Sequence, residues 1–371
     1  LDHLMRFPSL KHWWSDTLSL HAEHQGYQCG GEAGKQQDAR GFQGLPDLRP
    51  RHPEAAKAVF TYDDVELPIF ARATLLRPRA RTLYRAPLVI VKESIPADRT
   101  RSRAAISHRD LFFCESYHGW SCAAAADPEL LASWLLLLFN SDIVRYVALL
   151  TSSRYGVERD AVLLEDLERT PVPSLDTLAP ADRDLVRDLA KRLAHEAKAP
   201  WADIDAWIAR AYGLSPSDEE TMRDALVVAT PEGTVRAGMT PTPTEQNAWC
   251  TRVLEFTNAG LAPFGLCLTR DPAGMVAHGP WLVTRLLLGA LDPDATRTSS
   301  AREGGETVHV SPQHALASAD ALSVTEVVAR APDGSITLAR IAQYRYWTPT
   351  RARLFAARLL QEHGDFWAGL A

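Results

Sequence analysis

Residues 130–150 form the longest apolar run of the chain, and this run constrains the fold more than any other segment. It follows Asp127-Pro128-Glu129, in which the Asp side chain can cap a helix, proline suits its first position and the glutamate meets its positive end. The run is interrupted by Asn140, Asp142 and Arg145. A membrane span needs about 20 predominantly apolar residues. We therefore predict a helix that is buried in a protein core and continues to about Leu150.

The rest of the chain suggests a small sheet, then helices, then a second region. Short runs rich in β-branched and aromatic residues predict strands at 64–70, 83–91 and 110–114. Proline and polar caps predict helices that begin at Pro180, at Pro200 or Asp203, and at Ser215-Pro216. Residues 229–243 contain two Thr-Pro pairs and resemble a linker. A domain boundary is expected near residue 235.

Beyond that boundary we predict helices at 244–258 and 280–291 and a strand at 261–269. Alternating runs at 323–330 and 335–346 flank Ala-Pro-Asp-Gly and predict a hairpin, because Asp-Gly suits the positive φ of a tight turn. A final helix should begin at Thr348-Pro349, with Leu354, Leu359 and Leu360 facing inward. The expected fold class is mixed α/β, with a small mixed-sheet domain and flanking helices at 1–178, a helical stalk at 179–235 and an α+β domain at 236–371.

The distribution of charge is uneven. The net charge is −6, yet the segment from Arg72 to Asp110 contains ten Lys or Arg and three Asp or Glu residues. A protein that is acidic as a whole binds nucleic acid only through a local basic patch. This segment is the candidate for such a patch.

The composition argues against several other site classes. The five cysteines include no Cys-x-x-Cys pair, which disfavours a disulfide framework or a cysteine-rich zinc site and suits a reducing cytoplasm. No secretory leader is recognisable, so we expect a cytoplasmic protein. His21, His24 and Cys29 have zinc-compatible spacing but no visible fourth ligand, so no metal is predicted.

Three segments together carry a resemblance to a known family. Leu130–Pro173 contains the apolar helix, a polar loop with Tyr155-Gly156, and a short acidic amphipathic stretch that ends on Pro-Val-Pro; Ala86–Ser94 and Ile204–Leu214 extend the pattern. This order resembles the C-terminal target-recognition region of bacterial adenine-specific DNA methyltransferases of the restriction-modification and phage-defence type. The resemblance covers roughly the first 230 residues. It implies sequence-specific recognition of double-stranded DNA.

The resemblance does not extend to catalysis. The family transfers a methyl group with an Asn/Asp-Pro-Pro-aromatic motif, and this chain contains no Pro-Pro pair. We expect no catalysis and no cofactor in this chain alone, with S-adenosylmethionine bound only by a methyltransferase catalytic domain outside it.

Arginine can neutralise phosphates and can also present a bidentate fork to guanine. The predicted DNA contacts are therefore Arg77, Arg79, Arg81, Arg85, Lys92, Arg99, Arg101, Arg103 and Arg109, with a second group at Arg154, Tyr155 and Arg159.

Alternatives remain open for these residues. The arginines could pair with internal carboxylates, and Tyr155 could pack on the sheet. The whole chain could instead be a non-enzymatic adapter that docks other defence subunits. Near the C-terminus, Tyr344 and Tyr346 precede Arg351, Arg353 and Arg358. That pattern suits stacking and phosphate contacts, or a core or partner interface.

Overall fold

The structure is a computed structural model that describes residues 2–20, 23–30, 35–49, 60–93, 101, 104–155, 162–176, 178–196, 198–230, 234–291 and 324–371. The predicted mixed α/β class is confirmed. Two compact units are present, Leu1–Glu232 and Gly233–Ala371, which we call the first and second unit.

The strands are β1 (Gln37–Asp38), β2 (Asp47–Leu48), β3 (Thr74–Leu75), β4 (Leu88–Lys92), β5 (Ala104–Ser107), β6 (Phe112–Phe113), β7 (Tyr117–Ser121), β8 (Leu266–His278), β9 (Trp281–Ala290), β10 (Glu326–Arg330) and β11 (Ile336–Ile341). The helices are α1 (Leu10–His12), α2 (Pro128–Phe139), α3 (Asp142–Thr151), α4 (Leu164–Glu168), α5 (Pro180–His195), α6 (Trp201–Tyr212), α7 (Pro216–Ala229), α8 (Thr234–Gly238), α9 (Pro243–Leu261) and α10 (Pro349–Ala368). Short 3₁₀ turns lie at Arg40–Phe42, Arg81–Tyr84 and Tyr344–Tyr346, among others.

The first unit is built on an antiparallel sheet in the order β5-β4-β7. Side chains alternate along β4, so that Val89 and Val91 face a core shared with the helices, while Leu88 and Ile90 face a second core. The second core lies under the parallel pair β2–β6, with Phe112 of β6 at its centre. The sheet thus carries an apolar layer on each face.

The apolar run forms two helices, where the sequence predicted one. Asp127 caps α2 by accepting a hydrogen bond from the Leu130 N–H at 3.1 Å, as expected. The chain then leaves the helix at Asn140, whose amide donates to Ala104 O and whose Oδ1 accepts from Ala104 N–H, at 3.0 and 3.1 Å. This residue satisfies the backbone at the edge of β5 and separates α2 from α3, which are bent by 58°.

The predicted helical stalk belongs to the first unit. Val186 and Leu189 of α5 and Trp207 of α6 join the core that contains α2. Trp134 and Trp207 meet edge to face, with ring centroids 4.9 Å apart. Each of these two helices has a continuous apolar stripe that packs against α2 and so stabilises the fold. The two helices therefore do not form a separate stalk.

The second unit contains an antiparallel sheet in the order β10-β11-β9-β8, with α9 and α10 packed on one face. The predicted hairpin is confirmed as β10–β11, and the terminal helix begins at Pro349 with Thr348 as its cap. Leu359 is buried, but Leu354 is exposed. The predicted helix at 280–291 is wrong, because this segment is strand β9.

No single helix among the described residues is long and apolar enough to cross a membrane; α2 and α3 reach that length and apolarity only as a bent pair.

Candidate nucleic-acid interface

The structure describes nine of the twelve predicted DNA contacts. Arg99, Arg103 and Arg159 lie outside the described residues. The other nine differ widely in exposure and in the partners of their side chains, so the predicted set separates into internal and external residues.

Arg79 is an internal residue. Its side chain is 5% exposed, and Nη1 lies 2.9 Å from a carboxylate oxygen of Glu23. Nη2 donates to Gln25 Oε1 at 2.8 Å, and Nε donates to Gly26 O at 3.2 Å. The charge of the guanidinium is therefore balanced by Glu23, and its N–H donors are bonded to residues of the segment 23–26. Its predicted role as a DNA contact is wrong for this structure.

Arg101 and Arg109 are also used inside the first unit. Arg101 pairs with Asp142 at 3.1 Å and with Asp205 at 2.5 Å, and its guanidinium lies 4.6 Å from the centroid of a Trp201 ring. Arg109 donates to the backbone carbonyls of Tyr62 and Val65. These contacts hold loops and helices against the sheet, so neither residue is a free cation for DNA.

The second predicted group divides in the same way. Tyr155 is fully buried in the core that contains α2, beside Arg145. A fully buried ring cannot stack on a base, which corrects the prediction for Tyr155. Arg154 is exposed next to it. Lys92 is half-buried at the end of β4.

Three of the remaining predicted arginines are exposed, and so are two further ones nearby in the chain or in the small sheet. Arg77, Arg81 and Arg85 are exposed, as is Arg72, which belongs to the basic segment. Arg40 is also exposed and was not predicted from the sequence, because it lies outside the basic segment from Arg72 to Asp110. We call this set the arginine surface; its members are Arg40, Arg72, Arg77, Arg81 and Arg85.

Backbone contacts bring the segments of the arginine surface together. The N–H of Ala39 donates to Ala73 O at 2.8 Å, and Nη1 of Arg81 donates to Gly41 O. Strands β1 and β3 continue the Ala39–Ala73 contact as an antiparallel pair. The segments that carry Arg40 and Arg72 thus adjoin at one small sheet, and the 3₁₀ turn that carries Arg81 contacts the same region at Gly41.

The acidic residues near the arginine surface are mostly engaged elsewhere. Glu23 is paired with Arg79, and the buried Asp47 is bonded to Arg49 and to the Tyr27 hydroxyl. Asp38 is exposed, and its carboxylate is 4.0 Å from Nε of Arg40. Asp110 accepts a hydrogen bond from the N–H of Ala86, the residue after Arg85, at 2.9 Å. Five arginines against the two carboxylates of Asp38 and Asp110 still give an excess of positive charge, although the chain as a whole is acidic.

A His–carboxylate cluster in the first unit is unsuited to general-base chemistry. His108 Nδ1 lies 2.6 Å from Asp63, and Nε2 lies 3.2 Å from Glu129. Partial burial opposes protonation, but the hydrogen bond and charge of Asp63, with the charge of Glu129, raise the pKa of His108. With a carboxylate on each ring nitrogen, the imidazolium form is favoured and no nitrogen is free to accept a proton.

Among the described residues, no group of three or more His, Cys, Asp and Glu side chains is arranged to hold a metal ion. His21 of the zinc hypothesis lies outside the described residues, and His24 is buried and stacked on Trp120.

No protein-family model and no curated protein sequence matches this chain.

Proposed function

We propose that the chain recognises double-stranded DNA in a sequence-specific manner, as the specificity portion of an adenine methyltransferase-like defence or restriction-modification protein of the bacterial cytoplasm. The observation that carries this proposal is the arginine surface, where five exposed guanidiniums lie near acidic residues that are largely paired with other partners. Methyl transfer and S-adenosylmethionine binding are assigned to a catalytic domain outside this chain.

The chemistry of the surface suits a duplex. Guanidinium groups neutralise backbone phosphates and release condensed counterions, which favours binding at low salt. The same groups can form two hydrogen bonds to O6 and N7 of guanine in the major groove. Phosphate contacts position a protein on DNA and base contacts give specificity, so one cluster of arginines can supply both.

The test is a salt titration of binding to a duplex. Fluorescence anisotropy of the full chain with a labelled duplex, starting at about 50 mM salt, gives the slope of log affinity against log salt. Replacement of Arg72, Arg77, Arg81 and Arg85 by Ala should make this slope shallower by up to about 0.9 for each phosphate that the variant no longer neutralises. A matched control replaces Arg6 and Arg210, which are also exposed arginines of the first unit but lie outside the arginine surface.

An unchanged slope in the fourfold variant would contradict the proposed surface. No binding by the unmodified chain at low salt would contradict DNA recognition altogether. That second outcome would favour the adapter function, in which exposed arginines contact a protein partner.

A further inference from the structure

The second unit contains a cavity of about 470 Å³ with an unusual concentration of arginine. It lies between the β10–β11 hairpin and the N-terminal half of α10, and its volume is within the range of small-molecule sites. Its principal lining residues are Glu326, Arg340, Tyr346, Arg351, Phe355 and Arg358.

The charges in the cavity are unbalanced. Among the described residues that line the cavity, Glu326 is the one carboxylate, and it pairs with both Arg340 and Arg358. Arg351 is exposed and has no ion pair among the residues that the structure describes. Two guanidiniums thus share one carboxylate and a third has none, so the described lining residues carry an excess of two positive charges.

One of these positive charges, that of Arg340, is held in a fixed position by the residues packed around it. Its side chain is 6% exposed and lies against Trp249 and Phe355, with its guanidinium carbon 4.6 and 4.8 Å from their ring centroids. Nη1 donates to Tyr346 O at 2.9 Å. Burial, with the nearby charges of Arg358 and Arg351, lowers the pKa of Arg340 to about 10 against the opposing effect of Glu326. An anion in the cavity would relieve this repulsion.

The size of the charge excess distinguishes among anions. A phosphate monoester carries close to two negative charges at neutral pH and offers three acceptor oxygens. Guanidinium forks bind such oxygens bidentately. A single carboxylate would balance only half of the excess. The wall also contains the partly buried Tyr346, whose ring suits the flat, partly apolar body of a nucleoside.

We propose that this cavity binds the phosphomonoester group of a nucleotide, either free or at the 5′ end of a DNA strand, with Arg351 and Arg358 contacting the phosphate. The residues involved belong to the second unit alone, so the proposal does not depend on DNA recognition by the arginine surface.

The first experiment is isothermal titration calorimetry of the full chain with deoxyadenosine monophosphate. Arg351→Gln and Arg358→Gln should each weaken binding about tenfold or more, because each removes a charged hydrogen-bond donor. Arg345→Gln is the matched control, since Arg345 is exposed on the neighbouring 3₁₀ turn but does not line the cavity. Unfolding curves verify that the variants are folded. Undetectable binding, or equal binding by the two cavity variants and the control, would overturn the proposal.

Other ligands identify the chemical group and its source. Deoxyadenosine should fail to bind, and citrate should bind at least tenfold more weakly than the nucleotide; equal affinity for either would overturn the phosphate assignment. Single strands with a 5′-phosphate or a 5′-hydroxyl are then compared. If the chain prefers the 5′-phosphate strand and Arg351→Gln abolishes this preference, the ligand of the cavity is a DNA end. If the nucleotide binds but the chain shows no preference between the two strands, the ligand is the free nucleotide. The nucleotide titration and the comparison of the two single strands are repeated with the fourfold arginine-surface variant. Any preference for the 5′-phosphate strand should persist in this variant even if it no longer binds duplex DNA.

Discussion

Arg79 in the first unit and Arg340 in the second are both almost completely buried, but their surroundings differ. Arg79 donates to three acceptors, the side chains of Glu23 and Gln25 and the Gly26 carbonyl, and Glu23 also accepts a hydrogen bond from the Ala80 N–H. Arg340 shares Glu326 with Arg358, and Arg351 also lines the same cavity. A buried arginine with its own acceptors stabilises the fold and offers nothing to a ligand. A buried arginine that shares its acceptor with a second arginine keeps a positive potential in the space around it. This difference separates arginines that stabilise the fold from arginines that can bind a ligand.

The largest expected effect comes from removing the shared acceptor. Glu326→Ala should lower the free energy of unfolding by about 4 kcal/mol, because it leaves the buried guanidinium of Arg340 without a carboxylate. Urea unfolding monitored by tryptophan fluorescence measures this change, since Trp249 and Trp347 lie beside Arg340. Glu255→Ala is the control: its exposed pair with Arg252 should contribute less than about 1 kcal/mol. Equal decreases in the two variants would show that Arg340 does not depend on Glu326.

Two local sequence signals predicted their elements correctly, whereas the strand predicted at 64–70 is not formed. Thr348-Pro349 correctly marked the start of α10, and Asp333-Gly334 marked the hairpin, where Gly334 has φ +82° and a Cβ would clash with Leu288. Strand β9 was misassigned because both of its faces are apolar. Leu282 and Leu286 pack toward the helices while Trp281 and Val283 are buried on the other face, so the alternation that identifies a strand is missing.

The candidate site was harder to predict than the fold. Arg79 and Arg101 stand in the basic segment, but their partners Gln25 and Asp205 are 54 and 104 residues away along the chain. A local excess of charge cannot reveal that distant carboxylates neutralise it. The exposure of Arg40 depends in the same way on the pairing of β1 with β3, which brings residues 37–38 to residues 74–75.

A buried group without a partner gives the next largest effect. Both ring nitrogens of His118 are buried and lack a hydrogen-bond partner among the described residues. Burial lowers the pKa of His118 to about 4 from an ordinary value of 6.5. Between these pH values the unfolded chain binds the proton more readily than the folded one. The contribution of His118 to stability should therefore be most favourable above pH 6.5 and become less favourable by about 3 kcal/mol as the pH decreases to 4.

The measurement compares the unmodified chain with His118→Leu. Urea unfolding at several pH values between 7.5 and 4 should show a steeper decrease in stability for the unmodified chain, and the difference between the two curves isolates His118 from other acid-sensitive groups. Parallel curves would mean that the imidazole remains neutral in both states or is hydrated in the folded one.

Arg79→Ala should lower the free energy of unfolding by about 2 kcal/mol. The expected decrease is smaller than for Glu326 because Glu23, the acceptor left behind, is 27% exposed and can be hydrated. Arg77→Ala, two residues away on the exposed side, should change stability by no more than about 0.5 kcal/mol. Thermal or urea unfolding of the two variants side by side tests the division between internal and external arginines. A large decrease for Arg77→Ala would remove Arg77 from the arginine surface.

The smallest effect on stability, and the sharpest test of the surface itself, is expected for Arg40. Asp38 is exposed, and its carboxylate is 4.0 Å from Nε of Arg40 and accepts a hydrogen bond from the Arg40 backbone N–H, which Ala retains. Arg40→Ala should therefore change the free energy of unfolding by less than about 0.5 kcal/mol. If Arg40 contacts a phosphate, the same variant should make the salt slope of duplex binding shallower by about 0.9, because one counterion fewer is released on binding. Asp38→Ala should steepen the slope or leave it unchanged, because it removes the competing negative charge. A slope that Arg40→Ala does not alter would restrict the interface to the segment from Arg72 to Arg85 and would exclude the β1 side of the small sheet.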